Sequence, residues 1–258
     1  MKRHTAARRT VSIECYVDVL PAEPKGKVAV AVDVLRSATT AITAVELGRR
    51  CFPVGTLDRA MERAQAIGDA LLVGELGGNM PYGFDFNNSP ASLARRHVVS
   101  RPVVLLSTSG TGLMEEVQRF EAGYVACLRN VSATARHLAA NHADVLLLAA
   151  ATRGEFREED KICCARIAAS LLGSGFEPVG DAADLVATWK DAPLDSIRTG
   201  KSGRYLRDTG QLEDLDFVLE HVDDLNAMYR MTDGELVAVA GGISALRPAG
   251  RPGLSTTP

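Results

Sequence analysis

The sequence predicts an α/β fold with a mainly parallel central sheet, because one order of elements recurs along the chain. Three short apolar runs, rich in small or β-branched residues, each end in a polar turn that leads into a helical pattern. These runs are Val28–Val32, Val103–Leu106 and Asp144–Thr152. Strands that alternate with helices favour a parallel sheet, and the carboxyl ends of such strands share one edge. We therefore expect the polar turns to form a common site.

The remaining elements follow from local patterns. Alternation predicts a first strand at residues 12–19, and apolar runs predict strands at Cys51–Val54, residues 70–74 and residues 236–240. Helical spacing predicts helices at residues 38–48, 58–68, 113–120, 131–141, 155–172, 182–190 and 212–221. Asp58 is the expected cap of the second helix, and Ser89 before Pro90 is the expected cap of a short helix at 91–96. Residues 173–180 and 201–204 are expected to be irregular.

Composition limits the function classes. The chain has 258 residues, of which 46% are hydrophobic and 24% charged, with a formal net charge of -3. These values suit a globular protein and give no reason to expect nucleic acid or an anionic membrane as partner. No apolar run approaches the roughly 20 residues that cross a membrane. The five cysteines lack metal-ligand spacing, which favours reduced thiols in a cytoplasmic protein. The sequence leaves a homo-oligomer open.

One domain is expected to span residues 11–246, either as a single unit or as two closely packed halves. A basic leader at residues 1–10 has no apolar segment behind it, so it is expected to be disordered. Residues 247–258 are rich in Arg, Pro, Gly, Ser and Thr and supply no core residues, so they are expected to be a disordered tail.

The polar turns carry the chemistry. Asp33 falls at the end of the first buried strand and is followed by Arg36 and Ser37 at the start of a helix, where free N–H groups favour an anion. Glu75 ends another strand. The loop after it carries Asp85 and Asn88, and is either a surface excursion or a functional loop. Carboxylates suit Mg²⁺, while guanidinium and hydroxyl groups suit phosphate, so the set predicts phosphoryl transfer or phosphate ester hydrolysis.

The sequence lacks the motifs of several familiar enzyme classes. There is no P-loop motif and no G-x-S-x-G elbow. Leu35 stands where a haloacid-dehalogenase phosphatase would carry its second aspartate. The five histidines do not pair at helical spacing and none ends a predicted strand, so a histidine metal site is not expected.

Five short blocks of the chain, in the same order, resemble the motifs of the 2-phosphosulfolactate phosphatase (ComB-like) family. They are Asp33-Val-Leu-Arg-Ser-Ala-Thr-Thr, Gly74-Glu-Leu-Gly-Gly, Gly83-Phe-Asp-Phe-Asn-Asn-Ser-Pro90, Ser107-Thr-Ser-Gly-Thr111 and Glu159-Asp160. The resemblance implies a layered α/β/α fold with a largely parallel or mixed sheet. It also implies an Mg²⁺-dependent phosphatase that acts on 2-phospho-3-sulfolactate, a step of coenzyme M biosynthesis.

The candidate site residues follow from the turns and the resemblance together. Asp33, Arg36 and Asp85 are the candidate catalytic residues, with Asp33 either a metal ligand or a phosphate-accepting nucleophile. Asp33, Glu75 and Asp160 are the candidate metal ligands, Asp160 on the resemblance alone. The candidate residues for binding the small anionic phosphorylated substrate are Arg36, Ser37, Thr39, Asn88, Ser89, Ser107, Thr108, Ser109, Gly110, Thr111 and Arg153.

The motifs also depart from the family pattern, whose Arg-Ala-Thr-Thr appears here as Arg36-Ser-Ala-Thr-Thr. Ser109 stands for an asparagine, and Leu76 and Gly112 stand for arginines. Loss of two cations predicts a weaker preference for a sulfonate. The same departures motivate an alternative function, a catalytically degenerate anion-binding sensor or partner subunit on the same fold.

Overall fold

A computed structural model describes residues 8–16, 26–96, 100–152 and 154–239. The predicted tail at 247–258 and most of the predicted leader lie outside these residues, as does Arg153. Thr10, placed in the leader by the sequence, begins the first strand. Within the described residues no helix combines the length and the apolar character that a membrane crossing requires.

The strands of the described residues form one mixed sheet. They are β1 (Thr10–Tyr16), β2 (Val28–Val32), β3 (Cys51–Val54), β4 (Leu71–Gly74), β5 (Val103–Leu106), β6 (Ala122–Ala126), β7 (Asp144–Thr152), β8 (Glu155–Phe156), β9 (Glu177–Val179), β10 (Tyr229–Thr232) and β11 (Glu235–Ala238). Their order across the sheet is β4-β5-β3-β11-β10-β6-β2-β7-β1-β9, and β8 pairs with β7.

Helices cover both faces of this sheet, which confirms the layered α/β/α prediction. They are α1 (Ser37–Glu46), α2 (Leu57–Ile67), α3 (Pro90–Ala94), α4 (Gly110–Glu116), α5 (Val131–Asn141), α6 (Glu158–Gly173), α7 (Ala182–Trp189), α8 (Lys201–Asp208) and α9 (Leu212–Glu220). Three 3₁₀ segments lie at Val117–Arg119, Leu128–Asn130 and Leu194–Thr199.

The side chains of β2 point alternately to the two faces of the sheet and so contribute to both main hydrophobic cores. Val28, Val30 and Val32 belong to a cluster that contains residues of α5 and α6. Ala29 and Ala31 point to the other face and belong to a cluster with residues of α1 and α4. Small side chains on that face let α4 pack close to the strand. The helix that follows Asp33, α1, packs instead against β3, β6 and β11 of the same sheet.

Two parallel groups of strands are joined by an antiparallel hairpin. One group pairs in parallel through β6, β2, β7 and β1, and the other through β3, β5 and β4. Between the groups lie β10 and β11, which pair antiparallel with each other, with β6 and with β3. Three antiparallel pairings separate β6 from β3, so the two groups run in opposite directions and the carboxyl ends of β2 and β5 do not share one edge of a parallel sheet, although the sequence predicted that they would. The two ends nevertheless meet: the hydroxyl of Ser37, after β2, donates to that of Ser107, after β5, at 2.7 Å.

Several local predictions were wrong. Thr56, not Asp58, caps α2, since its hydroxyl accepts the Arg59 N–H at 3.3 Å. The segment predicted as a loop at 201–204 begins α8. The helix was not predicted because Gly203 lowers the helix propensity of this segment. A Cβ at residue 203 would lie 2.1 Å from the Ile197 carbonyl oxygen, so only glycine permits the packing. Strands β8, β9 and β10 were also missed, because each is short or partly polar, and β6 was missed because its glycine and alanines have low strand propensity.

Candidate active site

The carboxyl ends of β2, β4 and β5 open into a cavity of about 450 Å³. One wall carries the polar turns that follow these strands, and a second wall, called the far wall below, is made by α8 and by the segment around β8. The first wall contributes Asp33, Arg36, Ser37, Glu75, Asn88, Ser107, Thr108 and Ser109, and the second contributes Glu155, Arg157, Lys201, Ser202 and Tyr205. The cavity is therefore formed by polar turns that the sequence predicted and by a wall that the sequence did not predict.

Asp33 is almost fully buried at the end of β2, with 7% of the residue exposed. Burial raises the pKa of its carboxyl to about 6; hydrogen bonds from Ser37 lower this pKa, and the charge of Glu75 raises it. The Ser37 N–H, at the start of α1, donates to Asp33 Oδ1 at 3.2 Å. Gly110 lies so close that a Cβ there would be 1.9 Å from Asp33 Oδ2. The carboxyl is thus fixed between the first turns of two helices.

Two further carboxyl groups are buried behind Asp33, in the first turn of α6. Asp160 Oδ1 accepts the Val34 N–H at 2.8 Å, and Glu159 Oε2 has no hydrogen-bond partner. Burial raises the pKa of both groups, and the charge of Asp33 raises each further. Three carboxyl groups in one buried region cannot all be charged cheaply, so the region favours protons or a cation.

Arg36 is held by a buried ion pair. Its Nη1 lies 2.5 Å from Asp214 Oδ2, and the two side chains are 5% and 4% exposed. Asp214, on α9, also accepts from the Ser89 hydroxyl at 2.5 Å and the Ala91 N–H at 3.2 Å. Gln211 Oε1 accepts from Arg36 Nη1 at 2.6 Å. Because α9 lies far along the sequence, no local pattern could have identified Asp214 or Gln211 as the groups that position Arg36.

The hydroxyl turn after β5 is ordered by its own hydrogen bonds. Thr111 Oγ1 accepts the Ser107 N–H at 2.9 Å, and Ser107 Oγ accepts the Thr111 N–H at 3.0 Å. Glu75 joins this turn to the loop after β4: its carboxylate accepts from the Thr108 N–H and hydroxyl, each at 2.8 Å, and from the Gly78 N–H at 2.7 Å. Glu75 thus has structural partners on both carboxylate oxygens.

The other candidate residues lie outside the cavity lining. Thr39 donates its hydroxyl to the Val34 carbonyl at 2.8 Å, and Ser89 caps α3 by accepting the Ser92 N–H at 3.0 Å. Gly110, Thr111 and Asp160 are buried behind the surface of the cavity. Asp85 is exposed at the other end of β4, where it accepts the Leu72 N–H at 2.9 Å.

Two departures from the family motifs also lie outside the cavity lining. Leu76 is 38% exposed, and neither it nor Gly112 lines the cavity. The atom nearest to a Cβ built on Gly112 would be Gly55 Cα, at 4.0 Å. Side chains at these positions start away from the substrate space.

The described residues contain no preformed metal cage, since no three His, Cys, Asp or Glu side chains in that part of the chain converge as ligands. Asp33 and Asn88 nevertheless bring oxygen atoms to the cavity, and Asn88 Oδ1 is buried without a hydrogen-bond partner. This donor set fits Mg²⁺, which takes one or two protein carboxylates together with water and substrate oxygens.

Comparison with known proteins identifies the family of this chain. The sequence model of the family described as 2-phosphosulpholactate phosphatase matches residues 16–232. The chain belongs to this family. The phosphatase family includes curated relatives that carry the name "Probable 2-phosphosulfolactate phosphatase". The relative from Deinococcus radiodurans is 32% identical over 79% of this chain and 88% of its own length. That from Symbiobacterium thermophilum is 30% identical over 86% of this chain and 98% of its own length.

Membership in the phosphatase family confirms the resemblance seen in the five sequence blocks and makes the chain a phosphatase. The matched region includes the turns that carry Asp33 and Ser107, the buried acids of α6 and the far wall on α8. The whole cavity therefore belongs to the part of the chain that the family shares.

Proposed function

We propose that this phosphatase hydrolyses the phosphate monoester of a small anionic hydroxy acid, 2-phospho-3-sulfolactate, to 3-sulfolactate and phosphate, with Mg²⁺ as its cofactor. The single observation that carries the proposal is the buried carboxyl of Asp33 at the floor of a cavity that also presents Arg36, Ser37 and Ser107. The substrate is the one named for the relatives. A cavity of about 450 Å³ is large enough for such a molecule.

The phosphate group is expected to lie at the first wall. Hydroxyls of Ser37 and Ser107 meet there, and the Arg36 guanidinium supplies positive charge that Asp214 holds in place. Fixed donors of this kind stabilise charge on phosphate oxygens without a reorganisation cost during the reaction. Asp33 lies beside them and acts either as a ligand to the metal or as the group that attacks phosphorus; both roles need its carboxylate form.

Mg²⁺ would be held by Asp33, with Asn88 or Asp160 as the second oxygen ligand. When bound, it would neutralise negative charge on the phosphate oxygens and on the carboxylates. The unpartnered oxygens of Asn88 and Glu159 support this assignment, because a buried oxygen without a partner costs free energy unless a cation or a donor reaches it. The raised pKa of Asp33 supports it as well, since a cation favours the charged form of a carboxyl.

The test is phosphate release from 2-phospho-3-sulfolactate with Mg²⁺ and after removal of metal by EDTA. We expect release that needs Mg²⁺ and that falls by more than 100-fold in Asp33→Asn, with far-ultraviolet circular dichroism unchanged. Asp184→Asn, which changes an exposed aspartate of α7, is the matched control and should keep wild-type turnover. Tight binding of the substrate without phosphate release would favour the alternative, an anion-binding sensor or partner subunit.

A further inference from the structure

A tight turn in the loop after β4 lies at the mouth of the cavity. The Leu76 N–H donates to the Asn79 carbonyl at 2.8 Å, and the Asn79 N–H donates to the Leu76 carbonyl at 3.1 Å. The two central residues, Gly77 and Gly78, have φ values of 60° and 90°, which favour glycine. Both line the cavity, and Gly77 is exposed to solvent. The backbone of residues 76–79, called the glycine turn below, therefore forms part of the rim.

The glycine turn is held firmly to the first wall. The Gly77 N–H donates to Thr108 Oγ1 at 2.8 Å, and the Gly78 N–H donates to Glu75 Oε2 at 2.7 Å. Thr108 and Glu75 are themselves joined by two hydrogen bonds of 2.8 Å. The turn and the first wall thus form one hydrogen-bonded unit, so the turn has little freedom to move away from that wall.

Tyr205, on α8, joins the glycine turn to the far wall. Its hydroxyl donates to the Gly78 carbonyl at 3.2 Å. The ring lies so close to the turn that a Cβ at residue 78 would be 2.3 Å from Tyr205 Oη and 3.3 Å from its Cζ. No passage remains between the ring and the turn. Because Tyr205 lines the cavity and is also 42% exposed, its ring lies across the mouth, where the cavity meets solvent.

The position of the phosphate directs the rest of the substrate towards this mouth. The proposed function places the phosphate among Asp33, Arg36 and Ser107, which are all buried. The organic part must extend away from them, towards the exposed end of the lining. Volume alone does not restrict the choice of substrate, since pockets of about 450 Å³ are large enough for drug-sized ligands. Selection for a small organic group therefore has to be made at the mouth.

We propose that Tyr205 is a specificity-determining residue that limits the size of the substrate. Its ring, held against the glycine turn, excludes phosphate monoesters whose organic group is bulkier than that of a three-carbon hydroxy acid. This inference rests on the proposed function. A small acid leaves the contact between Tyr205 and Gly78 in place. A bulky group needs the space of the ring, and it is the ring that must turn away, because the glycine turn is held by its other hydrogen bonds.

The experiment compares 2-phospholactate with 2-phospho-3-phenyllactate, which differ only by a phenyl group. A steric conflict with the ring should lower kcat/KM of wild type for the phenyl substrate by about 10- to 100-fold relative to 2-phospholactate. Tyr205→Ala removes the ring and should recover about tenfold or more of this loss. Tyr205→Phe keeps the ring, loses the hydrogen bond and should recover about 2- to 10-fold. Both variants should keep the wild-type value for 2-phospholactate.

Tyr82→Ala is the matched control, because Tyr82 is a fully exposed tyrosine of the same loop that does not line the cavity. It should leave both kcat/KM values unchanged. Equal values for the two substrates in wild type would overturn the inference. So would a ratio of the two values that Tyr205→Ala leaves unchanged, or that Tyr82→Ala alters as much. Where circular dichroism shows that Tyr205→Ala is less folded, Tyr205→Leu repeats the test with an apolar side chain on α8.

Two phosphonates separate this inference from the proposed function. They are the analogues of the two substrates in which a methylene group replaces the ester oxygen, so calorimetry with Mg²⁺ measures their binding without hydrolysis. If wild type hydrolyses neither phosphate ester nor 2-phospho-3-sulfolactate, the proposed function fails. Affinity for the phenyl phosphonate that rises about tenfold or more in Tyr205→Ala would support the size limit even then. Equal affinity in wild type and Tyr205→Ala would overturn the size limit whatever the turnover.

Discussion

Two glycines of α4 allow a sharp test of how the cavity floor is built. Gly110 and Gly112 lie two residues apart in the same helix, so Gly→Ala changes helix propensity in a similar way at both. Their surroundings differ. A Cβ at Gly110 would lie 1.9 Å from Asp33 Oδ2 and 2.8 Å from Ser37 Cβ, whereas a Cβ at Gly112 has no neighbour closer than 4.0 Å. Gly110→Ala is therefore the perturbation and Gly112→Ala its control.

The structure sets the size of the expected effect. Real Cβ atoms essentially never approach another heavy atom within 3.0 Å, so the Asp33 carboxylate must retreat by about 1 Å in Gly110→Ala. A displacement of about 1 Å in a reacting group can cost about 100-fold in rate. Overpacking of a buried site costs about 1–3 kcal/mol of the unfolding free energy. Gly112→Ala should instead add about 0.5–1 kcal/mol, because alanine is the better helix former.

The assay is kcat/KM for phosphate release together with urea unfolding of both variants and wild type. We expect Gly110→Ala to lose about 100-fold in kcat/KM and Gly112→Ala to keep wild-type activity with higher stability. Wild-type turnover in Gly110→Ala would refute the claim that the position of Asp33 at this wall matters for the reaction. Equal losses in both variants would show that α4 itself, and not the contact with Asp33, causes the effect.

Two further variants test the electrostatics of the site. Asp33→Asn should raise the unfolding free energy by about 3 kcal/mol above pH 6. The reason is that a pKa of about 6 in the folded protein, against 3.8 in the unfolded chain, costs the wild type stability as pH rises from about 4 to 6. Metal-free urea unfolding at pH 3.5 and 7.5 measures the difference in unfolding free energy between variant and wild type, which should vanish at the lower pH. Asp214→Asn should cost about 3–5 kcal/mol and raise KM, because it leaves the buried Arg36 charge without its carboxylate. Asp216→Asn changes another aspartate of α9 and breaks its half-exposed pair with Arg198, so it should cost less than about 1 kcal/mol. Equal losses in Asp214→Asn and Asp216→Asn would contradict the role assigned to Asp214.

The first wall could be predicted from the sequence because each part of it is local. An apolar strand, a polar turn and a helix start appear within a dozen residues around Asp33 and again around Ser107. How the two turns meet could not be predicted in this way, because β2 and β5 belong to parallel groups that run in opposite directions. The mixed sheet was harder. The hairpin of β10 and β11 separates two parallel groups, and its strands are short and partly polar, so no local pattern revealed their central place.

The far wall could not be predicted because tertiary packing builds it. Lys201 begins a helix whose sequence contains a glycine, and its nearest charged partner, Glu155, lies 46 residues away. Arg157 follows a two-residue strand that exists only through pairing with β7. The buried role of Asp214 is equally remote, since its contact with Arg36 spans 178 residues. Asp85, in contrast, stands in a conspicuous loop motif, yet the structure places it outside the cavity lining.

The buried carboxyl groups of the first wall explain why a cation would suit this cavity. The three carboxyl groups at the first wall make the empty site costly, as the raised pKa values of Asp33, Glu159 and Asp160 show. A protein retains such a cost where function requires it. A bound cation would relieve it, because a cation favours the charged form of these carboxyl groups. A phosphate paired with that cation would therefore lie beside Asp33, as the proposed function requires.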